Sequence, residues 1–185
     1  MAKRLLLSAV FGGLVAFGWG AVSWMALSWH TPTLLRFTDE VAVAKTVQAN
    51  APRAGVYLLL PYHWDHPARA KTEIPKGLLF FGAVRYQSPG MLGYNLRGLG
   101  IQMLGALVLS WLLLTLPAMG YWARVRVCSL SGLAAGILGR LPDWNWWGFS
   151  TDFTLLAILD LVMAWSLAGL VIASMVGRRE RRRWP

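Results

Sequence analysis

The sequence predicts a mainly α-helical membrane protein: a four-transmembrane-helix bundle with a small extracytoplasmic α+β cap between helices 1 and 2. Three observations lead there. Apolar residues make up 56% of the chain and charged residues 14%, where soluble proteins carry roughly 25% charged residues. Mean hydropathy is positive, at +0.48. The apolar residues also gather in runs near the ~20-residue length that crosses a bilayer.

The first run, Leu5 to Leu27, follows Lys3 and Arg4. It exceeds the roughly 7–15 residues of a signal-peptide core and lacks a small-residue cleavage site, so we read it as an uncleaved helix within residues 1–28. The second, Leu99 to Met119, is entered by a helix starting near Ser88 and Pro89, an N-cap and first-turn pair. Pro117 and Gly120 end it. The third, about Tyr121 to Gly139, requires Arg124 and Arg126 to snorkel to the inner surface. The fourth, Phe153 to Val176, is interrupted only by Asp160. Residues 98–185 thus hold helices 2 to 4 and a basic tail.

Nine of the eighteen Lys and Arg flank these runs: Lys3, Arg4, Arg124, Arg126, Arg178, Arg179, Arg181, Arg182 and Arg183. Positive charge is retained on the cytoplasmic side, so both termini are expected inside a bacterial inner membrane, with the tail arginines anchored on anionic lipid. The net charge of +10 is therefore a membrane signal. Nucleic-acid binding is not expected, because no readable motif or basic folded face accompanies the charge.

The segment 29–97 then lies outside. Thr38 is placed to cap a helix running to about Asn50, with Asp39 and Glu40 in its first turn and an apolar stripe of Val41, Ala44 and Val47. Residues Gly55–Leu60 and Gly77–Tyr86 read as short strands around a polar loop, Pro61–Lys76. Between helices 3 and 4, Asp143-Trp-Asn-Trp-Trp-Gly-Phe149 reads as an aromatic outer loop. Tryptophan gathers at membrane–water boundaries, so Trp144, Trp146, Trp147 and Phe149 are candidate contacts for lipid or a partner.

Small residues recur every fourth position: Ser8, Gly12, Ala16 and Gly20; Cys128, Gly132 and Gly136; Gly169, Ala173 and Gly177. Such faces let helix backbones approach closely in lipid, either within the chain or against another subunit or copy. The single cysteine, Cys128, excludes an intrachain disulfide and reads as a small buried hydrophobe.

Asp160 is the one acidic residue well inside a span, about 10 Å from its outer end at a rise of ~1.5 Å per residue. An intramembrane carboxylate raises the prospect of a proton or cation site. Gln102 and Arg140 are its expected partners. A structural role is favoured over transport, because no chain of ionisable residues continues inward. His63-Trp-Asp-His66 offers His63, Asp65 and His66 as metal ligands, with His30 or Glu73 to complete a set, but lacks a regular ligand spacing. No cofactor is expected, since no span contains an axial histidine for haem. Nor is an enzyme: the chain has no nucleophile elbow, phosphate-binding Gly-rich loop, His-Glu-x-x-His or Cys-x-x-Cys.

Three stretches together resemble a set of uncharacterised bacterial inner-membrane proteins. They are Gly12-Gly13…Phe17-Gly-Trp-Gly…Ser23-Trp-Met with Trp29-His30, then Phe37-Thr-Asp-Glu40-Val-Ala-Val, and Asp143-Trp-Asn-Trp-Trp-Gly-Phe149…Phe153-Thr-Leu. That family has an N-terminal helix, a small extracytoplasmic region and three further helices, with a Trp-Asn-Trp-aromatic-Gly-Phe loop before the last. The Pro61–Lys76 loop departs from the pattern. The resemblance implies a bacterial origin and this topology, and supplies no activity. The expected function is a non-catalytic accessory or assembly subunit of a larger inner-membrane complex, respiratory or photosynthetic. The alternative is a small ion or solute transport component using Asp160.

Overall fold

The computed structural model describes residues 2–59 and 77–177. Helix α1 spans Ala2–Ala21 and continues into a π-helical turn, Val22–Ala26, and a 3₁₀ segment, Ser28–Thr33. Helix α2 (Glu40–Asn50), strands β1 (Gly55–Leu59) and β2 (Phe80–Val84), and helices α3 (Gly90–Thr115), α4 (Tyr121–Trp147) and α5 (Thr151–Val176) follow. Three helical stretches are long and apolar enough to cross a membrane: Ala2–Ala26, Gly90–Thr115 and Thr151–Val176. Helix α4 is the longest, at 27 residues, but is not among them; Arg124, Arg126, Arg140 and Asp143 interrupt its ends.

The long helices lie side by side in the order α3, α1, α5, α4. Their close approaches fix an antiparallel register. A Cβ at Gly13 would lie 2.7 Å from the Met103 backbone, and Ser8 Oγ donates to Ser110 Oγ at 2.8 Å. A Cβ at Gly12 would meet Ile172 at 2.6 Å. On α4, Gly132 faces the Leu161 carbonyl, Gly136 faces Ile158, and Cys128 faces Gly169. The core they enclose includes Ala16, Ala106, Leu109, Cys128, Ala168 and Ile172.

The small-residue stripes therefore meet partners inside the chain. Gly12, Ala16, Gly132, Gly136, Gly169 and Ala173 are placed so, but nothing lies within 4 Å of a Cβ on Gly20. Helix geometry explains the exception. Steps of four advance about 400° at ~100° per residue, so twelve residues after Ser8 the stripe has rotated about 120° off its face. Trp19 and Ser23 take up the buried side there.

Two local features of α2 differ from expectation. Asp39 rather than Thr38 caps α2, accepting from the Ala42 N–H at 2.9 Å. No residue of α2 is buried, so Val41, Ala44 and Val47 form no core stripe; Val41 is 64% exposed. Helix α3 begins at Gly90, directly after the expected Ser88–Pro89 start, with Ser88 Oγ accepting from the Gly90 N–H.

The aromatic segment is also not a loop along most of its length. Helix α4 runs through Pro142 to Trp147. Proline removes one ladder hydrogen bond. The helix instead ends at Gly148, whose φ of 72° is the left-handed conformation glycine adopts without penalty. The N–H groups of Gly148 and Phe149 both reach back to the Asp143 carbonyl.

Strands β1 and β2 pair antiparallel, with Gly55 opposite Val84 and Leu59 opposite Phe80. The hairpin rests on the aromatic end of α4: Phe81 stacks on Trp147 at 4.7 Å and lies 6.5 Å from Phe149. Ser150 caps α5, its hydroxyl accepting from the Phe153 N–H.

Candidate functional site: a carboxylate clasp where the end of helix 1 meets helix 5

Asp160 lies on the face of α5 that meets α1. Its Oδ1 accepts from Ser23 Oγ at 2.7 Å and from Trp19 Nε1 at 3.2 Å. Its Oδ2 lies 2.8 Å from His30 Nε2. The histidine and aspartate side chains are only 5% and 15% exposed. A charge or polar group taken from water must recover its hydrogen bonds, and these three donors supply them.

The backbone after α1 makes this possible. In the π-helical turn the Leu27 N–H reaches Val22 O, and Leu27 then turns extended. The 3₁₀ segment, containing Pro32, brings the chain back so that His30 covers Ser23. Thr33 Oγ1 donates to the His30 carbonyl at 2.8 Å, closing the turn. π-Turns of this kind are rare and cluster at functional positions. Tryptophans wall the result. Trp24 stacks flat on the imidazole at 3.9 Å, and Trp29 meets it edge-on while donating to Ser23 Oγ at 3.0 Å.

Serine, histidine and aspartate within 3 Å of one another suggest a hydrolytic triad, and the geometry excludes one. In a triad the serine and the carboxylate meet opposite ring nitrogens. Here Ser23 Oγ lies 2.9 Å and Asp160 Oδ2 2.8 Å from the same atom, His30 Nε2. The Ser23 hydroxyl proton is directed at Asp160, so the histidine is not placed to activate the oxygen as a nucleophile. Every contact of the carboxylate is with a donor, the pattern expected of an acceptor-only group. The arrangement holds two helices and a turn together.

The expected partners of Asp160 lie elsewhere. Gln102 is opposite the middle of α1, since its neighbour Met103 meets Gly13. That level is roughly 12–15 Å further along the bundle than Asp160 at ~1.5 Å per residue. Arg140 lies 3.9 Å from Asp143, one turn along its own helix, and α4 packs on a different face of α5. His30, considered as a metal ligand, is the partner instead. Its signal was available as a histidine close behind an apolar run, but only the return of the chain identifies its contact.

The aromatic candidates divide. Trp147 and Phe149 are engaged by Phe81, whereas Trp146 is 70% and Trp144 46% exposed. His63, Asp65, His66 and Glu73, and Arg178, Arg179, Arg181, Arg182 and Arg183, lie outside the described residues. Comparison with known proteins adds no assignment: no family model, curated protein or solved structure matches this chain.

Proposed function

We propose that this chain is a non-catalytic integral membrane protein, an accessory or assembly subunit of a larger bacterial inner-membrane complex. One observation carries the reading. The part-buried Asp160 carboxylate is bonded by groups from α1 and its following turn, which suits a fixed scaffold. The exposed Trp144 and Trp146, beside a hairpin that already occupies Trp147, offer a lateral contact at the outer surface. Tryptophan is enriched among residues that anchor partners.

Four spans fit this reading. Helix α4 packs antiparallel along α5 from Cys128 to Gly136, so it shares the depth of a helix apolar enough to span. Its arginines at 124 and 126 then reach the inner surface by snorkelling. Extraction in a mild detergent followed by native mass spectrometry tests the proposal. A particle containing another membrane chain is expected, weakened by Trp144→Ala with Trp146→Ala; a chain that always runs alone contradicts it.

The His30–Asp160 contact favours one second reading, transport of a proton or cation through the outer leaflet. Its test is flux into proteoliposomes. Flux by the wild type that Asp160→Asn abolishes, with the fold kept, would support it over the scaffold.

A further inference from the structure

At the opposite end of the bundle from Asp160, the α3–α4 turn and the end of α5 enclose a cavity of about 540 Å³. Leu113, Leu116 and Val176 form an apolar wall, and Tyr121 and Arg124 a polar one. Tyr121 is held by its hydroxyl, which donates to the Leu170 carbonyl at 3.0 Å. The Arg124 guanidinium lies over Gly177, where a Cβ would come 2.5 Å from Nη1. Arg124 Nε is buried and finds no hydrogen-bond partner among the described residues. That nitrogen is closed off by the protein itself, whereas Arg124 as a whole is only half-buried and lines the crevice, so its positive charge is open to an anion there.

Two further features select its charge. Helix α4 starts at this cavity with Gly120 as N-cap, and no side chain caps it. Its first-turn N–H groups therefore remain available to an anion, and the helix dipole favours negative charge there. The apolar wall adds what a soluble anion would not use. We propose that this crevice binds the phosphate of an anionic glycerophospholipid, with Arg124 as its principal ligand and the upper acyl chains against Leu113, Leu116 and Val176. The inference goes beyond the subunit reading, as the crevice and the clasp share no residue.

Native mass spectrometry of the delipidated full chain in mild detergent tests it, with phosphatidylglycerol, phosphatidylcholine and inorganic phosphate as probes. Phosphatidylglycerol is expected to bind in preference to phosphatidylcholine, whose quaternary ammonium would meet Arg124 and Arg126. Arg124→Gln should weaken it about tenfold, the equivalent of one charged hydrogen bond. Arg126→Gln, at an exposed position, should not. Equal binding of the two lipids, or wild-type binding by Arg124→Gln, overturns the proposal. Displacement of the lipid by millimolar inorganic phosphate overturns the lipid assignment in favour of a free anion. Should Arg124→Gln fail to fold, Arg124→Met carries the test, because it keeps a long side chain and loses the charge. Undiminished binding by that variant is equally contrary.

Discussion

His30 Nε2 lies 2.8 Å from Asp160 Oδ2, joining residues 130 positions apart through a turn that doubles back over α1. The contact ties the C-terminal end of the first apolar helix to the last. It also explains why three tryptophans, at 19, 24 and 29, crowd a short stretch of chain. Two of them donate into the polar group and one covers the imidazole.

Removing the carboxylate should destabilise the fold more than removing any one donor. Asp160→Ala leaves Trp19, Ser23 and His30 without their acceptor, and each buried unsatisfied group costs about 1–3 kcal/mol. Asp160→Asn keeps the volume but turns an N–H₂ towards donors, so it should fall between. Thermal unfolding in detergent ranks the three proteins. A wild-type melting temperature for Asp160→Ala would dismiss the clasp.

Helix packing gives a second expectation. A side chain at Gly132 would press on the Leu161 carbonyl at 2.7 Å, and backbone cannot move aside cheaply. Gly132→Val should cost about 1–3 kcal/mol, the usual range for overpacking. Gly20→Ala, with open space around it, should be neutral or gain about 0.5–1 kcal/mol of helix propensity. The same melting assay separates them.

Cys128 should be inert. Its side chain is fully buried against Gly169, so a maleimide should leave the folded protein unlabelled and react only after denaturation. Labelling at the native rate of a free thiol would show that α4 and α5 separate.

That inertness makes an inserted cysteine a clean topology probe. Gln48→Cys on α2 and Ala118→Cys in the α3–α4 turn are both at exposed positions. An impermeant maleimide applied outside intact cells should label the first and spare the second. The reverse pattern would invert the proposed orientation.

The long apolar helices α1, α3 and α5 were legible in the sequence, because long apolar runs have few alternatives. Asp160 was legible as well, as a carboxylate inside such a run. Its partners were not. Spacing along a helix places Gln102 by depth, but depth says nothing about which helix faces which. The π-turn that returns His30 leaves no periodic mark on residues 22–33. The end of α4 was misplaced for a related reason. Pro142 signals a break, yet the helix continues to Gly148, where Trp147 can stack on Phe81. Tertiary contacts overrode a local preference that costs about 3 kcal/mol. Close contacts of small residues survived better, since they depend on the absence of a side chain rather than on its direction.

A double-mutant cycle on His30 and Asp160, read by unfolding free energy in one detergent, tests the clasp most directly. His30→Ala, Asp160→Ala and the double variant are compared with the wild type. A buried hydrogen-bonded pair predicts a coupling of about 1–3 kcal/mol, the double variant losing clearly less than the two single losses added together. Additive losses, with no coupling beyond about 0.5 kcal/mol, would contradict a clasp between helices 1 and 5.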